Sequence, residues 1–230
     1  MSCRLIPTAD SLTTWLCATF GKTLNHWSQP FEFAVNSAPR IIVAVTGASG
    51  AIYAKRCLEA LKDAGVEAHL VVSKAAEMTL SYELGLKASD LESLASVRYS
   101  ANDIGAPIAS GSFKTEGMII APCSIKTMSE IATGVTTNLV SRAADVVLKE
   151  RRRLVLMVRE TPFHLGHLRT MTALAEMGAV IAPPLPSFYI EPKTVADLVD
   201  QSVGRVLDLF GVDSALTRRW GEDLEKGARS

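Results

Sequence analysis

Short apolar runs alternate with stretches of helical periodicity from Arg40 onward, and this alternation constrains the fold more than any other feature of the chain. The apolar runs predict buried strands at residues 41–45, 117–121, 154–158 and 179–182, and residues 66–72 are predicted to form a further strand. Apolar residues at helical spacing predict helices at residues 52–61, 74–84, 89–96, 126–133, 138–150, 164–177 and 194–210. This alternation predicts an α/β fold of three layers, with a parallel sheet and helices on both of its faces.

The composition indicates a single cytosolic domain and argues against several classes of partner. With 230 residues, 48% of them hydrophobic, the chain can form one domain with a sizeable core. Its 24 basic and 24 acidic residues leave no basic excess that would indicate nucleic acid or a membrane surface as a partner. No apolar stretch reaches the roughly 18 residues of a transmembrane helix. The four cysteines show no paired spacing, which predicts reduced thiols and a cytoplasmic location.

Residues 1–39 differ from the rest of the chain. They are rich in Ser and Thr, hold two of the three Trp and lack sustained periodicity, so we expect a poorly ordered extension. A wrongly assigned start codon or a targeting peptide would give the same pattern, although Asp10, Glu32 and the scarcity of Arg argue against a transit peptide. The predicted organisation is this extension, a domain at residues 40–220 and a C-terminal tail at residues 221–230.

Polar groups follow each predicted strand at the point where the strand ends. They are mainly hydroxyls, glycines and cations, in the segments 46–50, 73–74, 122–127, 159–160 and 183–189. In a parallel sheet these ends share one edge, and ligands bind at that edge. Small residues allow close approach of the backbone, hydroxyls donate hydrogen bonds and helix N-termini add partial positive charge. The edge is therefore predicted to bind a phosphate.

Three of these segments have a simpler alternative interpretation. The turn at residues 47–50 lacks the spacing of a dinucleotide fingerprint and the Lys of a Walker loop, so a tight turn with a capping Ser fits as well. The segment 124–127 is equally consistent with an anion site and with a helix cap. Arg159 and Glu160 supply a cation and a carboxylate for proton transfer at a strand end, but a surface ion pair would give the same pattern.

Cys123, His164 and His167 are interpreted as structural residues. Cys123 lies at a strand end, but no His has an obvious role beside it, which favours a small buried residue over a nucleophile. His164 and His167 lie three residues apart on a predicted helix, without the further ligands that a metal site needs. Capping or packing is favoured for both.

Three cations on predicted helices are candidates for a second phosphate site. Arg142 and Lys149 lie seven residues apart on one helix face near the strand ends, where they could hold an anion; a solvated face is the alternative. Arg205 lies within a helix among apolar neighbours and needs a partner there. An anionic ligand is one candidate for that partner.

Taken together, these segments resemble the flavin prenyltransferase family of the UbiX type, which is associated with aromatic acid decarboxylases. The resemblance keeps its order from about Arg40 to Trp220, and residues 1–39 have no counterpart in it. It is carried by the motifs TGASGA (46–51), ASGSF (109–113), PCSIKT (122–127), RAADV (142–146), LKE (148–150), RETP (159–162) and PPLPSFY (183–189).

The resemblance implies a flavodoxin-like, Rossmann-like fold and an enzyme that binds reduced FMN and dimethylallyl phosphate without a metal. The implied reaction joins the prenyl group to N5 and C6 of the flavin, closes a fourth ring and releases phosphate. A homododecamer is also implied. The product, prenylated FMN, would serve a UbiD-type decarboxylase in ubiquinone biosynthesis or in aromatic acid breakdown.

The resemblance also implies roles for individual residues. The implied FMN contacts are Gly47, Ala48, Ser49, Ser73, Ser124, Ile125, Lys126, Thr127 and Arg159. The implied catalytic residues are Glu83, Arg142, Lys149, Glu160 and Trp220, and the implied contacts of the prenyl phosphate are Tyr189 and Arg205. Sites of this family lie across subunit interfaces, so some of these residues would serve a neighbouring site.

Two other functions stay open from the sequence. An FMN-dependent cysteine-type decarboxylase would use a related scaffold, but it would lack a clearly placed catalytic His and leave the sets Arg159/Glu160 and Tyr189/Arg205 unexplained. A non-enzymatic carrier that only delivers FMN to a decarboxylase would need the flavin site alone. For the prenyltransferase itself, either Glu160 or the departing phosphate would accept the proton lost from C6.

Overall fold

Six parallel strands form one sheet in the computed structural model, which describes residues 38–222. The strands are β1 Arg40–Val45, β2 Glu67–Val72, β3 Val97–Ser100, β4 Gly117–Cys123, β5 Arg153–Val158 and β6 Val180–Ile181. Their order across the sheet is β3-β2-β1-β4-β5-β6, and every neighbouring pair is parallel. Nearly all of the predicted N-terminal extension and most of the predicted C-terminal tail lie outside the described residues.

Helices cover both faces of this sheet. In the described part of the chain they are α1 Ala51–Asp63, α2 Lys74–Leu84, α3 Ala88–Glu92, α4 Ile125–Thr133, α5 Leu139–Lys149, α6 Leu165–Glu176 and α7 Val195–Asp208. Helices α1, α2, α3 and α7 contribute to the core on one face, and α4, α5 and α6 contribute to the core on the other. The predicted three-layer, flavodoxin-like α/β fold is confirmed. Within residues 38–222, no helix is long and apolar enough to cross a membrane.

The central strands are apolar because both of their faces are buried. In β1, Ile41, Val43 and Val45 join the core on one face, while Ile42 and Ala44 join the core on the other. This division follows the two-residue period of a strand. Strands β4 and β5 are built in the same way, so their continuous apolar runs were sufficient to predict them.

The edges of the sheet differ from the prediction. Strand β3 was not predicted, because an edge strand is paired on one side only and its sequence VRYS is largely exposed and polar. The helix predicted at residues 89–96 is correspondingly shorter, since α3 ends at Glu92 and β3 follows. At the other edge, β6 has only two residues. Strand β4 continues through Pro122, where its register with β5 becomes irregular.

Candidate active site

The polar ends of four strands meet at one edge of the sheet, as predicted. The backbone N–H of Ser73 donates to the carbonyl of Val45 at 3.0 Å, which joins the ends of β2 and β1. The backbone N–H of Arg159 donates to the carbonyl of Cys123 at 3.1 Å, which joins the ends of β5 and β4. These bonds align the loops after the strands side by side.

Thr46 connects the two central loops, although the sequence did not single it out as a site residue. Its side chain is buried, and its hydroxyl donates to the carbonyl of Pro122 at 2.7 Å. The same oxygen accepts from the backbone N–H of Ser124 at 2.8 Å. Thr46 therefore fixes the start of the turn 47–50 relative to the start of α4. Its only signal in the sequence is a hydroxyl between an apolar strand and a Gly.

Two serines begin helices at this edge. The Ser73 hydroxyl accepts from the N–H of Ala76 at 3.2 Å and caps α2. The Ser124 hydroxyl accepts from the N–H of Thr127 at 3.3 Å and caps α4, and it donates to the Thr127 hydroxyl at 3.1 Å. The capping Ser expected in the turn 47–50 is not observed, because α1 begins after Gly50 without a side-chain cap. Ser73 is a cap that the sequence did not predict. The capping interpretation is correct for the segment 124–127. It leaves an anion site open, because helix N-termini attract negative charge whatever their cap.

A cavity of about 970 Å³ lies against these two helix starts. Its wall includes five of the nine predicted FMN contacts, namely Gly47, Ser73, Ser124, Lys126 and Thr127. The other four, Ala48, Ser49, Ile125 and Arg159, do not line it. The volume is at the upper end of the range for pockets that bind small molecules and cofactors.

Gly47 is required by packing at this cavity. A Cβ atom at this position would lie 2.4 Å from the Cβ of Ala75 at the start of α2. Since real Cβ atoms do not approach so closely, a side chain at residue 47 would push the turn and α2 apart. The glycine therefore serves the close contact of the two loops that form the cavity.

Glu83 holds the start of α1. Its carboxylate accepts from the backbone N–H of Gly50 at 2.9 and 3.2 Å and from the N–H of Ala51 at 2.9 Å. Burial favours the neutral acid, but the backbone hydrogen bonds and a hydrogen bond from the Ser49 side chain outweigh it. Together with the positive charge of Arg159, they lower the pKa of Glu83. The first turn of α1 thus already faces a negative charge from the protein itself.

Arg159 and Glu160 are both exposed after β5. Within residues 38–222 neither side chain forms a salt bridge, so the surface ion pair considered from the sequence is not present there. The charge of Arg159 acts on Glu83 and also on Tyr53 of α1, where burial raises the pKa of the phenol and Arg159 opposes that effect. Tyr53 had not been identified from the sequence. The Glu160 carboxylate accepts from the N–H of Thr161 at 2.8 Å.

A second group of predicted residues gathers near the end of the described chain. The rings of Tyr189 and Trp220 meet edge to face, with their centroids 5.7 Å apart. The amide of Gln201, a residue that the sequence analysis did not identify, donates to the Tyr189 hydroxyl at 2.9 Å. Tyr189 and Trp220 are both exposed, so the pair presents an aromatic surface to a ligand or to another chain.

Arg205 does not occupy the apolar surroundings expected from the sequence. It lies in the last turn of α7 with its side chain 56% exposed, and it donates to Asp208 at 2.7 Å. Its apolar sequence neighbours Val203 and Val206 are buried because they point to the core, whereas Arg205 points away from it. The sequence analysis gave an anionic ligand as one candidate for the partner of Arg205; in the structure Asp208 supplies that partner. A cavity of about 270 Å³ beside the segment 182–187 still includes Arg205 in its wall.

Arg142 and Lys149 are not both close to the carboxyl ends of the strands. Helix α5 begins beside the large cavity. Arg142 lies in the first turns of this helix and therefore near the cavity, and it donates to Asp145 at 2.8 Å. Lys149 lies roughly 10 Å further along the helix axis, just before β5 begins, where it pairs with Glu150 at 2.5 Å. The seven-residue spacing predicts that Arg142 and Lys149 share a helix face, but it does not predict which end of the sheet each residue lies near.

The structure supports the structural interpretation of Cys123 and His164. Cys123 is buried, and burial raises the pKa of its thiol to about 12, so it carries almost no thiolate at neutral pH. His164 caps α6, because its Nδ1 accepts from the N–H of Gly166 at 3.0 Å. In the part of the chain that the structure describes, no three His, Cys, Asp or Glu residues are grouped to hold a metal ion.

Comparisons with known proteins agree with this geometry. A family model described as Flavoprotein matches residues 34–207. The flavin prenyltransferase UbiX of Thauera aromatica is 58% identical over 187 residues, which are 81% of this chain and 96% of that protein.

Two crystal structures are similar as well. AnUbiX (PadA1) in complex with FMN and dimethylallyl pyrophosphate is 50% identical, with a TM-score of 0.79 over 80% of this chain and 98% of the other. A dodecameric FMN-dependent UbiX-like decarboxylase from Escherichia coli O157:H7 is 48% identical, with a TM-score of 0.77 over 79% of this chain and 98% of the other. The chain therefore belongs to the flavoprotein family and, within it, to the flavin prenyltransferases of the UbiX type.

Proposed function

We propose that this protein is a flavin prenyltransferase, which transfers a dimethylallyl group from dimethylallyl phosphate to N5 and C6 of reduced FMN. The observation that carries the proposal is the 58% identity to the Thauera aromatica enzyme over 96% of its length. AnUbiX binds both FMN and a dimethylallyl pyrophosphate, which supports the same pair of ligand classes here.

The residues around the large cavity fit FMN. Ser73, Ser124 and Thr127 bring hydroxyls to the starts of α2 and α4, and Lys126 adds a cation. We assign the flavin phosphate to these two helix starts rather than to α1, because Glu83 already supplies a carboxylate at α1 and would repel a second anion. Arg159 and the remaining predicted contacts, Ala48, Ser49 and Ile125, would border the flavin beyond the phosphate.

The prenyl phosphate is assigned to Tyr189, Arg205 and Trp220. As the C–O bond breaks, negative charge moves onto the phosphate, which a phenol O–H and cations stabilise in a site shielded from water. The aromatic face of Trp220 would shelter the allylic cation that forms on the other side. Bound reduced FMN supplies the nucleophilic N5 and C6 positions.

Lys149 and Arg142 would reach this site from another copy of the chain. Lys149 lies towards the amino ends of the strands, whereas Glu160 follows the carboxyl end of β5, so one subunit alone does not unite them. The dodecameric structure of the Escherichia coli relative supports a homo-oligomer, and we propose a dodecamer. Glu160 is the proposed acceptor of the proton from C6, because it is exposed at the strand edge and within the described residues its carboxylate meets only a backbone N–H.

The product would be prenylated FMN for a UbiD-type decarboxylase partner, in a cytoplasmic setting. The free thiols of Cys57 and Cys123 are consistent with a reducing compartment.

The test is anaerobic incubation of the full chain with reduced FMN and either dimethylallyl monophosphate or diphosphate, followed by mass analysis of the flavin. We expect a gain of one C5H8 unit and release of the phosphate group. Recovery of unmodified flavin with both donors would contradict the proposal, and the non-enzymatic FMN carrier and the cysteine-type decarboxylase would remain as alternatives.

A further inference from the structure

The buried amide of Gln201 bridges two separate segments near the proposed prenyl-phosphate site. Gln201 lies on α7 and is 1% exposed. Its Nε2 donates to the Tyr189 hydroxyl at 2.9 Å and to the carbonyl of Arg218 at 3.2 Å. Its Oε1 accepts from the N–H of Arg218 at 2.9 Å. Both amide hydrogens and the amide oxygen are thus used, so the side chain is held in one position.

The orientation of this amide follows from its backbone partner. The N–H of Arg218 can only donate, so the atom of Gln201 that faces it must be the oxygen. The nitrogen then faces the carbonyl of Arg218 and the Tyr189 hydroxyl. A flip of the amide would place the Gln201 nitrogen against the N–H of Arg218 and the Gln201 oxygen against the carbonyl of Arg218. The observed orientation is therefore the stable one.

This orientation determines the direction of the Tyr189 proton. Because Gln201 donates, the Tyr189 oxygen must accept, and its own hydrogen has to point elsewhere. In the described part of the chain no group accepts that hydrogen, and Tyr189 is 43% exposed. The phenol is therefore arranged as a donor towards a ligand.

We propose that Gln201 is a positioning residue that turns the O–H of Tyr189 outward, so that it donates to the phosphate of the prenyl donor. The surrounding contacts support a fixed geometry. The Arg218 guanidinium donates to the carbonyl of Ile190, the residue after Tyr189, and Trp220 packs against the Tyr189 ring. Gln201 thus joins the turn that carries Tyr189 to the segment that carries Trp220.

This inference rests on the proposed role of Tyr189, so the experiment separates the two. The variants are Tyr189→Phe, Gln201→Glu and the double variant, as full-length proteins loaded with oxidised FMN. The measured quantity is the dissociation constant of dimethylallyl phosphate, with inorganic phosphate as a second probe. Oxidised flavin prevents turnover, and product formation is measured separately with reduced FMN.

The Gln201→Glu variant tests the direction of the proton. An ionised carboxylate still accepts from the Arg218 N–H, but it also accepts the Tyr189 proton and so turns the phenol inward. We expect dimethylallyl phosphate to bind about tenfold more weakly to each single variant, the scale of one hydrogen bond to a charged group. The double variant should bind no more weakly than Tyr189→Phe alone.

A pH series adds a result that a merely structural role would not produce. When the new carboxyl group is protonated it can donate to the Tyr189 oxygen, so the loss of affinity relative to wild type should shrink as the pH falls. The affinity for FMN should be unchanged in all variants. If Gln201→Glu fails to fold, Gln201→Met retains the length without the hydrogen bonds and should also show no further loss when combined with Tyr189→Phe.

The outcomes are distinct. Normal affinity in Gln201→Glu and Gln201→Met, or effects that add fully to that of Tyr189→Phe, would overturn the role of Gln201. Normal affinity in Tyr189→Phe would overturn both the assignment of Tyr189 and the inference. Absence of prenylated flavin from the wild type would overturn the proposed reaction, while the binding cycle would still decide the role of Gln201.

Discussion

The carboxylate of Glu83 accepts the backbone N–H of Gly50 with both of its oxygens, at 2.9 and 3.2 Å, and so closes the start of α1 with a negative charge. Of the three helices that directly follow β1, β2 and β4, only α2 and α4 begin with an uncharged serine cap. The fold therefore offers two helix starts to a phosphate and reserves the third for its own carboxylate.

We expect Glu83→Gln to lower the free energy of unfolding near neutral pH by about 1 kcal/mol, which is the contribution of a helix cap reduced by the solvent screening of an exposed carboxylate. The pKa of Glu83 is lowered on folding, so its contribution is complete above the pKa of the unfolded state and is lost as the pH falls through the folded-state pKa. Denaturation of the wild type and the variant at several pH values checks this. The difference should vanish in acid, and a constant difference would show that the charge is not responsible.

We expect Gly47→Ala to weaken FMN binding strongly, because the new methyl group would meet Ala75 at 2.4 Å and displace α2 from the cavity wall. Gly105→Ala is the matched control, since a Cβ there has an ordinary contact of 3.5 Å with Asp103. The measurement is the FMN dissociation constant of the two folded variants. Equal affinity would mean that the turn at Gly47 does not shape the flavin site.

We expect Cys123→Ser to keep most of its activity. The thiol is buried, its pKa is raised to about 12, and the carbonyl of Ser124 can accept the hydrogen of either a thiol or a hydroxyl there. Rates of prenylated flavin formation with bound FMN provide the check. A loss of about a thousandfold without loss of FMN would instead indicate covalent catalysis.

A chain that starts at Ala38 should fold, assemble and turn over like the full chain. The hydrogen bonding of the first strand segment to β2 begins at Pro39, whose carbonyl accepts from the N–H of Glu67 at 2.9 Å. The Thauera aromatica relative is matched over 96% of its length by 81% of this chain, so that relative lacks most of the remaining length. Size-exclusion chromatography and activity of the two proteins test this, and loss of assembly would assign residues 1–37 a role.

The sequence predicted those elements whose pattern is local. Strands β1, β4 and β5 contain continuous apolar runs, and α2 was predicted at its observed bounds. The exposed strand β3 had no such run.

The same distinction explains the site. Hydroxyls after strands indicated the starts of α2 and α4. The hydrogen-bond partners of Glu83 and Gln201 lie 33 and 12 to 17 residues away in the sequence, so no local pattern predicts these contacts. The position of Lys149 at the far end of α5 also required the three-dimensional path of the chain.

Glu160→Gln should retain FMN and slow the formation of prenylated flavin by about a hundredfold or more, the scale of a lost general base. The amide keeps the size of the side chain and can still accept from the N–H of Thr161, which the carboxylate contacts at 2.8 Å, so the local turn should be preserved. Glu176→Gln, at the end of α6, is the control for loss of an exposed carboxylate. Single-turnover rates at saturating dimethylallyl phosphate are the decisive measurement, because they exclude effects on binding. If Glu160→Gln matches the wild type there, the departing phosphate takes the proton and Glu160 is not the base.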